Sequence, residues 1–223
     1  MARGAGPAGG AGPADCGSLV AGLGELILPR RCAGCGLAGH VLCDACRTRL
    51  ATPPRRVFPP TPPHAPVFAL GPYADAHRSV VLAMKEHNNR IVRRHVGAVL
   101  AAALEYLEVR GEIPHGAVLV PAPTRPSSAR ARGGDPVAAV CRASGRAVVE
   151  VLELSERAAD QADLDAAARR ANLAGAVRIS GVPAKQCIVI DDVVTTGATL
   201  TASVEMLLAH GADVAACVAI CEA

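Results

Sequence analysis

From residue 67 onward the chain alternates between two apolar patterns. Short, nearly continuous apolar runs, such as Val67-Phe68-Ala69-Leu70, Val118-Leu119-Val120 and Cys187-Ile188-Val189-Ile190, predict strands. The strands are expected over 67–73, 117–121, 148–154, 176–179, 187–190 and 214–220. Between them, longer stretches with helical spacing predict helices over 76–85, 91–109, 136–144 and 199–210. Strands alternating with helices imply a mainly parallel, doubly wound α/β sheet covered on both faces. Before residue 67 the pattern is different. Residues 1–14 are a Gly/Ala/Pro tail expected to be disordered, and residues 15–52 hold a short apolar segment and a cysteine cluster. Residues 53–66 are proline-rich and read as an extended, semi-rigid linker to a main domain over 67–223.

The most informative stretch follows the fifth predicted strand: Asp191-Asp192-Val193-Val194-Thr195-Thr196-Gly197-Ala198-Thr199. An apolar strand runs into two adjacent acids, then a hydroxyl-rich turn with one glycine, then a helix. Backbone N–H groups at such a helix start, aided by the helix dipole, suit a phosphate, and the threonine hydroxyls add donors. The paired acids suit ribose hydroxyls and can help hold a divalent metal near a phosphate. Other phosphate loops are excluded. A nucleotide-hydrolysing P-loop needs a lysine that is absent here, and a dinucleotide fingerprint needs two further glycines. The fingerprint does occur at Gly4-Ala5-Gly6-Pro7-Ala8-Gly9, but no strand precedes it and a proline lies within it.

Cys32-x2-Cys35-x7-Cys43-x2-Cys46 forms two chelating pairs in a short segment with little core of its own, which favours one structural zinc. A redox pair and inert buried thiols are the competing readings, and His40 is a substitute ligand that the spacing allows. Cys16, Cys141, Cys187, Cys217 and Cys221 stand singly in apolar surroundings and read as core residues.

Three other groups are candidates for the same site. A strand ending in Val120-Pro121-Ala122-Pro123-Thr124-Arg125 places Pro121 and Arg125 on the ligand edge of a doubly wound sheet, where arginines and loop amides can receive a pyrophosphate. Arg130 and Arg132 follow at once. Lys85 is one of two lysines against 21 arginines, and its retention at the end of a predicted helix suggests a point-charge role. Gln161, Leu164, Arg169 and Asn172 lie in a polar, Ala-rich segment that reads as a lid or an exposed helix.

Composition narrows the class further. The chain has 51% hydrophobic residues but only four aromatics, so Val, Leu, Ile and Ala must fill the core. Its net charge of +3 resides mainly in residues 1–66, leaving the larger domain near neutral and unlike a general polyanion binder. No secretory pattern is visible, and the apolar run 19–28 is too short to span a bilayer. A cytoplasmic protein with reduced or metal-bound cysteines is expected.

Taken in order, the paired Cys-x2-Cys motifs, Tyr73, Met84-Lys85, Val120-Pro121-x-Pro123, Arg132-Gly133-x-Asp135, Gln161-x2-Leu164, Arg169-x2-Asn172 and the Asp191 to Thr199 loop resemble the ComF family. These are type I phosphoribosyltransferase-like proteins with an N-terminal zinc module, associated with DNA uptake in competence. The resemblance covers roughly residues 30–223. It implies binding of phosphoribosyl pyrophosphate with magnesium. Asp191 and Asp192 would lie on the ribose, Val193 and the run Thr195, Thr196, Gly197, Ala198 and Thr199 at the 5′-phosphate, and Lys85 and Arg132 among the catalytic residues. Single-stranded DNA and competence-machinery proteins are the further partners it suggests. A non-catalytic DNA-handling or ligand-sensing protein is the alternative to a transferase. Gly134 and Glu86 stand where the family has aromatics. DNA contact would therefore fall on arginine clusters: Arg47, Arg49, Arg55 and Arg56, or Arg78, Lys85, Arg90, Arg93 and Arg94.

Overall fold

The computed structural model describes residues 30–155 and 176–223. The tail, Cys16, the apolar run 19–28, and Gln161, Leu164, Arg169 and Asn172 lie outside the described residues. In chain order the elements are α1 (Asp44–Leu50), β1 (Arg55–Val57), β2 (Val67–Ala69), α2 (Asp75–Lys85), α3 (Arg90–Val109), β3 (Val118–Pro121), α4 (Pro126–Ala131) and α5 (Pro136–Ala143). They continue with β4 (Leu152–Leu154), β5 (Val177–Ile179), β6 (Cys187–Val194), α6 (Ala198–Ala209) and β7 (Val214–Glu222).

Five strands form one sheet in the order β1-β2-β7-β6-β3, and all neighbours except β1–β2 are parallel. The expected mainly parallel α/β architecture is therefore observed. Alternation along the strands divides the core into two layers. Phe68, Leu119, Ile188, Ile190, Val218 and Ile220 face one cluster, which α2, α3 and α5 cover. Val67, Val118, Val120, Cys187, Val189 and Cys217 face the other, which α6 covers with Leu200, Val204 and Leu207. The helix α3 shows why it lies flat on this sheet: Val92, Val96, Leu100, Leu104 and Leu107 recur every three or four residues and are all buried. Cys141, Cys187, Cys217 and Cys221 are fully enclosed core residues, as their apolar neighbourhoods suggested. Burial pushes the Cys141 and Cys221 thiols up to about 12, so they remain protonated and inert.

Three local features differ from the expected elements. The span 148–154 is not one strand. Val148 bridges to Leu119 at the sheet edge, the exposed Glu150 turns out to pair with Arg142, and β4 then forms a separate antiparallel ribbon with β5. The strand β6 does not end at Ile190 but runs through both acids, because β7 continues to pair with it as far as Glu222. The proline-rich stretch is extended, and Arg55–Val57 within it adds an antiparallel edge strand. The cysteine-bearing segment packs on the first core layer, where Cys32, Leu42, Cys43, Cys46 and Leu50 join residues of α2 and α3.

Candidate functional site

The connections out of β3 and β6 run to opposite faces of the sheet, β3 towards α5 and β6 towards α6. Their carboxyl ends stay in contact, with the Ala122 N–H donating to the Ile190 carbonyl at 2.7 Å. A doubly wound sheet opens a ligand crevice at this kind of switch point. The acids and the threonine-rich turn sit there.

Asp191 and Asp192 lie within the second half of β6 in different surroundings. The Asp191 Oδ1 accepts the N–H of Asp192 at 2.8 Å. Burial and the neighbouring Asp192 charge push the Asp191 carboxyl up to about 7, despite that bond and the nearby Lys85. Asp192 meets the Lys85 ammonium with both oxygens, at 3.0 and 2.9 Å. Lys85 ends α2, 107 residues away in sequence, and the pair is largely shielded, with side-chain exposures of 28% and 15%.

The turn after the acids is held open by its backbone. Gly197 caps α6 at φ 84°, a left-handed conformation, and a Cβ there would lie 2.3 Å from the Thr61 carbonyl oxygen. The Thr61 N–H donates to the Thr196 carbonyl at 2.7 Å, and the Thr201 hydroxyl donates to the Thr61 carbonyl at 3.0 Å. The proline-rich segment is thus stitched to the outside of the turn. On the inside, Asp191 and residues 193–200 line a cleft with about 200 Å³ of empty space. Thr195 and Thr196 are exposed, and the first N–H groups of α6 point along its axis without helical acceptors. The Thr196 hydroxyl accepts the Ala198 N–H at 3.4 Å, and the exposed hydroxyls together with the helix N-terminus suit an anion.

The remaining candidates fall around the same edge. Pro121 is buried at the end of β3, beside Ile190, and Arg125 is the exposed residue that precedes α4. The Arg132 Nε donates to the Lys85 carbonyl at 2.9 Å, which ties the α4–α5 loop to α2 behind the Asp192 contact. Arg93 does not belong to an exposed DNA-facing cluster: it is only 5% exposed, because α3 turns it into the interior. Arg55 likewise is bound to Glu222, and Lys85 to Asp192. Sequence reasoning passed over Arg90 and Arg93 as parts of this edge. Their signal was the spacing that places both on the first turn of α3, directly after the Lys85 helix.

The four cysteines of the paired motifs do converge. Their sulfurs all lie within 4.8 Å of one another, with Cys35 and Cys43 3.6 Å apart. A tetrahedral zinc with sulfurs at ~2.3 Å requires a sulfur separation of about 3.8 Å, so the donor set fits that ion. The Cys43 N–H donates to the Cys32 sulfur at 3.3 Å. Although burial raises the Cys32 thiol, hydrogen bonds from the backbone of Cys43, Cys35 and Gly34 bring it down to about 6. Burial and the adjacent thiols push Cys46 the other way. Four sulfurs this close cannot all carry charge without a cation between them. His40 is exposed and stands apart from the cluster.

A family model described as phosphoribosyl transferase domain matches residues 144–223. A phosphoribosyl transferase domain is therefore present, and its match includes β6, the loop at 191–199 and α6. No curated protein matches the chain. No helix among the described residues is long and apolar enough to cross a membrane.

Proposed function

We propose that this protein binds phosphoribosyl pyrophosphate with magnesium at the β6–α6 loop and is a ComF-type protein that serves DNA uptake. The observation that carries this reading is the placement of Asp191, Asp192 and residues 195–199 at the switch point of the sheet, within the residues matched as a phosphoribosyl transferase domain. Val193 and residues 195–199 hold the 5′-phosphate through N–H and hydroxyl donors. Asp191 and Asp192 accept from the ribose hydroxyls and would hold a magnesium ion, which when bound would supply charge screening for pyrophosphate. Pro121 stiffens the facing loop, and Arg125 stands at its mouth. Lys85 fixes Asp192 until the ligand arrives, and Arg132 holds the main chain of Lys85. Transfer chemistry at such a site consists mainly of positioning and charge stabilisation, with no protein nucleophile required.

Cys32, Cys35, Cys43 and Cys46 hold a structural zinc in the same reading. Four cysteine donors would complete a tetrahedral set, so such an ion would supply structure and not chemistry. Single-stranded DNA and proteins of the uptake machinery are the partners proposed, with DNA contact falling on exposed arginines such as Arg47, Arg49, Arg56 and Arg94.

Two measurements test the reading in turn. Calorimetry should show saturable, magnesium-dependent binding of phosphoribosyl pyrophosphate, and a flat titration would remove the ligand assignment. Incubation with that ligand and a panel of acceptor bases should then release pyrophosphate if the protein is a transferase. Tight binding without release would assign it instead to ligand sensing.

A further inference from the structure

Residues 59–63 read Pro-Pro-Thr-Pro-Pro, so Thr61 carries the single backbone N–H of that run. The proline rings favour an extended backbone, and Pro62 restricts Thr61 to the same conformation. The one N–H left in the run is spent on the β6–α6 loop. It donates to the Thr196 carbonyl at 2.7 Å, while the Thr61 carbonyl accepts the Thr201 hydroxyl at 3.0 Å. Thr61 therefore grips the start of α6 on both sides of its Gly197 cap, and it does so through main-chain atoms.

This grip fixes the direction of one peptide plane. No peptide bond among the described residues is cis, and in a planar trans peptide the carbonyl and the N–H point in opposite directions. With the Thr196 carbonyl held against the proline-rich segment, the Gly197 N–H faces away from that segment. Gly197 lines the cleft together with Asp191 and Thr195, and its N–H meets no acceptor among the described residues. A flip of this single peptide is the competing arrangement. It would carry the φ of Gly197 from 84° to the negative side, which glycine accepts as readily. It would also turn the Thr196 carbonyl oxygen into the cleft, where a negative dipole end repels an anion.

We propose that Thr61 is a positioning residue whose main-chain N–H locks the Thr196–Gly197 peptide, with the Gly197 N–H turned into the cleft as a phosphate donor. Thr201 supports the lock by holding the Thr61 carbonyl in place. The identity of the bound group rests on the loop reading above. The lock itself extends the site to a proline-rich segment that lies outside the matched residues 144–223.

The test is calorimetry of the full chain with ribose 5-phosphate, joined to NMR of the Gly197 amide in isotope-labelled protein. Thr61→Pro preserves the extended run and deletes the N–H. It should weaken binding by about tenfold, the scale of one hydrogen bond lost at the loop. The Gly197 amide should shift in the free variant and respond less to the ligand. Thr61→Ala keeps the N–H and should retain most of the affinity. Thr201→Val should lose about threefold, within the range of a single neutral hydrogen bond, and Thr201→Ser should recover it. This second pair decides the matter if Thr61→Pro does not fold. Binding by Thr61→Pro as tight as wild type, with an unmoved Gly197 amide, would overturn the lock and leave the loop reading standing. Equal losses in Thr61→Pro and Thr61→Ala would also refute it, because the side chain would then carry the effect. A wild type that binds no ribose 5-phosphate would remove the loop reading and the lock together.

Discussion

The four-cysteine cluster and the β6–α6 loop both concentrate charge, but they resolve it in opposite ways. The cluster draws its four sulfurs from a segment of fifteen residues, buries three of the four cysteines and supplies a backbone N–H to Cys32. Its geometry is closed and complete once a cation is present. The loop draws its charges from distant parts of the chain, pairs Asp192 with Lys85 and leaves Asp191 half-buried with a raised pKa. Its donors face an open cleft. One arrangement is compatible with a permanently held ion, and the other suits a ligand that comes and goes.

The largest effect that would break this contrast is loss of the metal. Cys46→Ser should abolish stoichiometric zinc and lower the melting temperature by roughly 10 °C or more, because metal binding of this kind supplies folding free energy directly. The cysteine-bearing segment also covers part of the α2–α3 core, so the damage should spread beyond it. Metal analysis and thermal melts check this. An unchanged melt with no metal in the wild type would make the cluster an ordinary group of thiols.

A smaller effect should follow from Gly197→Ala. Its φ of 84° is strained for a side chain, and the Thr61 carbonyl occupies the space a Cβ would need. A destabilisation of about 2 kcal/mol or more is expected. Denaturant melts should show it, together with weaker phosphoribosyl pyrophosphate binding as the proline-rich segment moves off the turn.

A third effect, spread over a range of pH, is a pH dependence at Asp191. A carboxyl raised to about 7 in the folded state holds its proton longer than the unfolded chain does. Stability therefore falls as pH rises from about 4, the unfolded value, to about 7, and is level above that. Asp191→Asn should flatten this slope, which parallel melts at pH 5 and pH 8 would reveal. Ligand binding in the wild type should strengthen across the same window as the carboxylate forms.

The chain's local chemistry was legible where it is also local in space. The β6–α6 loop and the two Cys-x2-Cys pairs occupy continuous segments, so residue order alone brought their groups together. The contact of Lys85 with Asp192 spans 107 residues, and only the parallel packing of β3, β6 and the α2–α3 layer creates it. The burial of Arg93 was hidden for a similar reason. An arginine beside Arg90 and Arg94 reads as part of a solvated face, yet helical geometry turns it towards the α4–α5 loop. The edge strand β1 escaped notice because its three residues lie among prolines, which signal extension but not pairing.

The central claim is that the β6–α6 loop holds a sugar phosphate through its paired acids. Parallel calorimetric titrations of wild type and Asp192→Asn with phosphoribosyl pyrophosphate and magnesium test it most directly, with circular dichroism confirming the fold of each. The wild type should bind saturably, and the variant should lose about a hundredfold in affinity, equivalent to ~2.7 kcal/mol. Equal affinities in the two folded proteins would contradict the assignment.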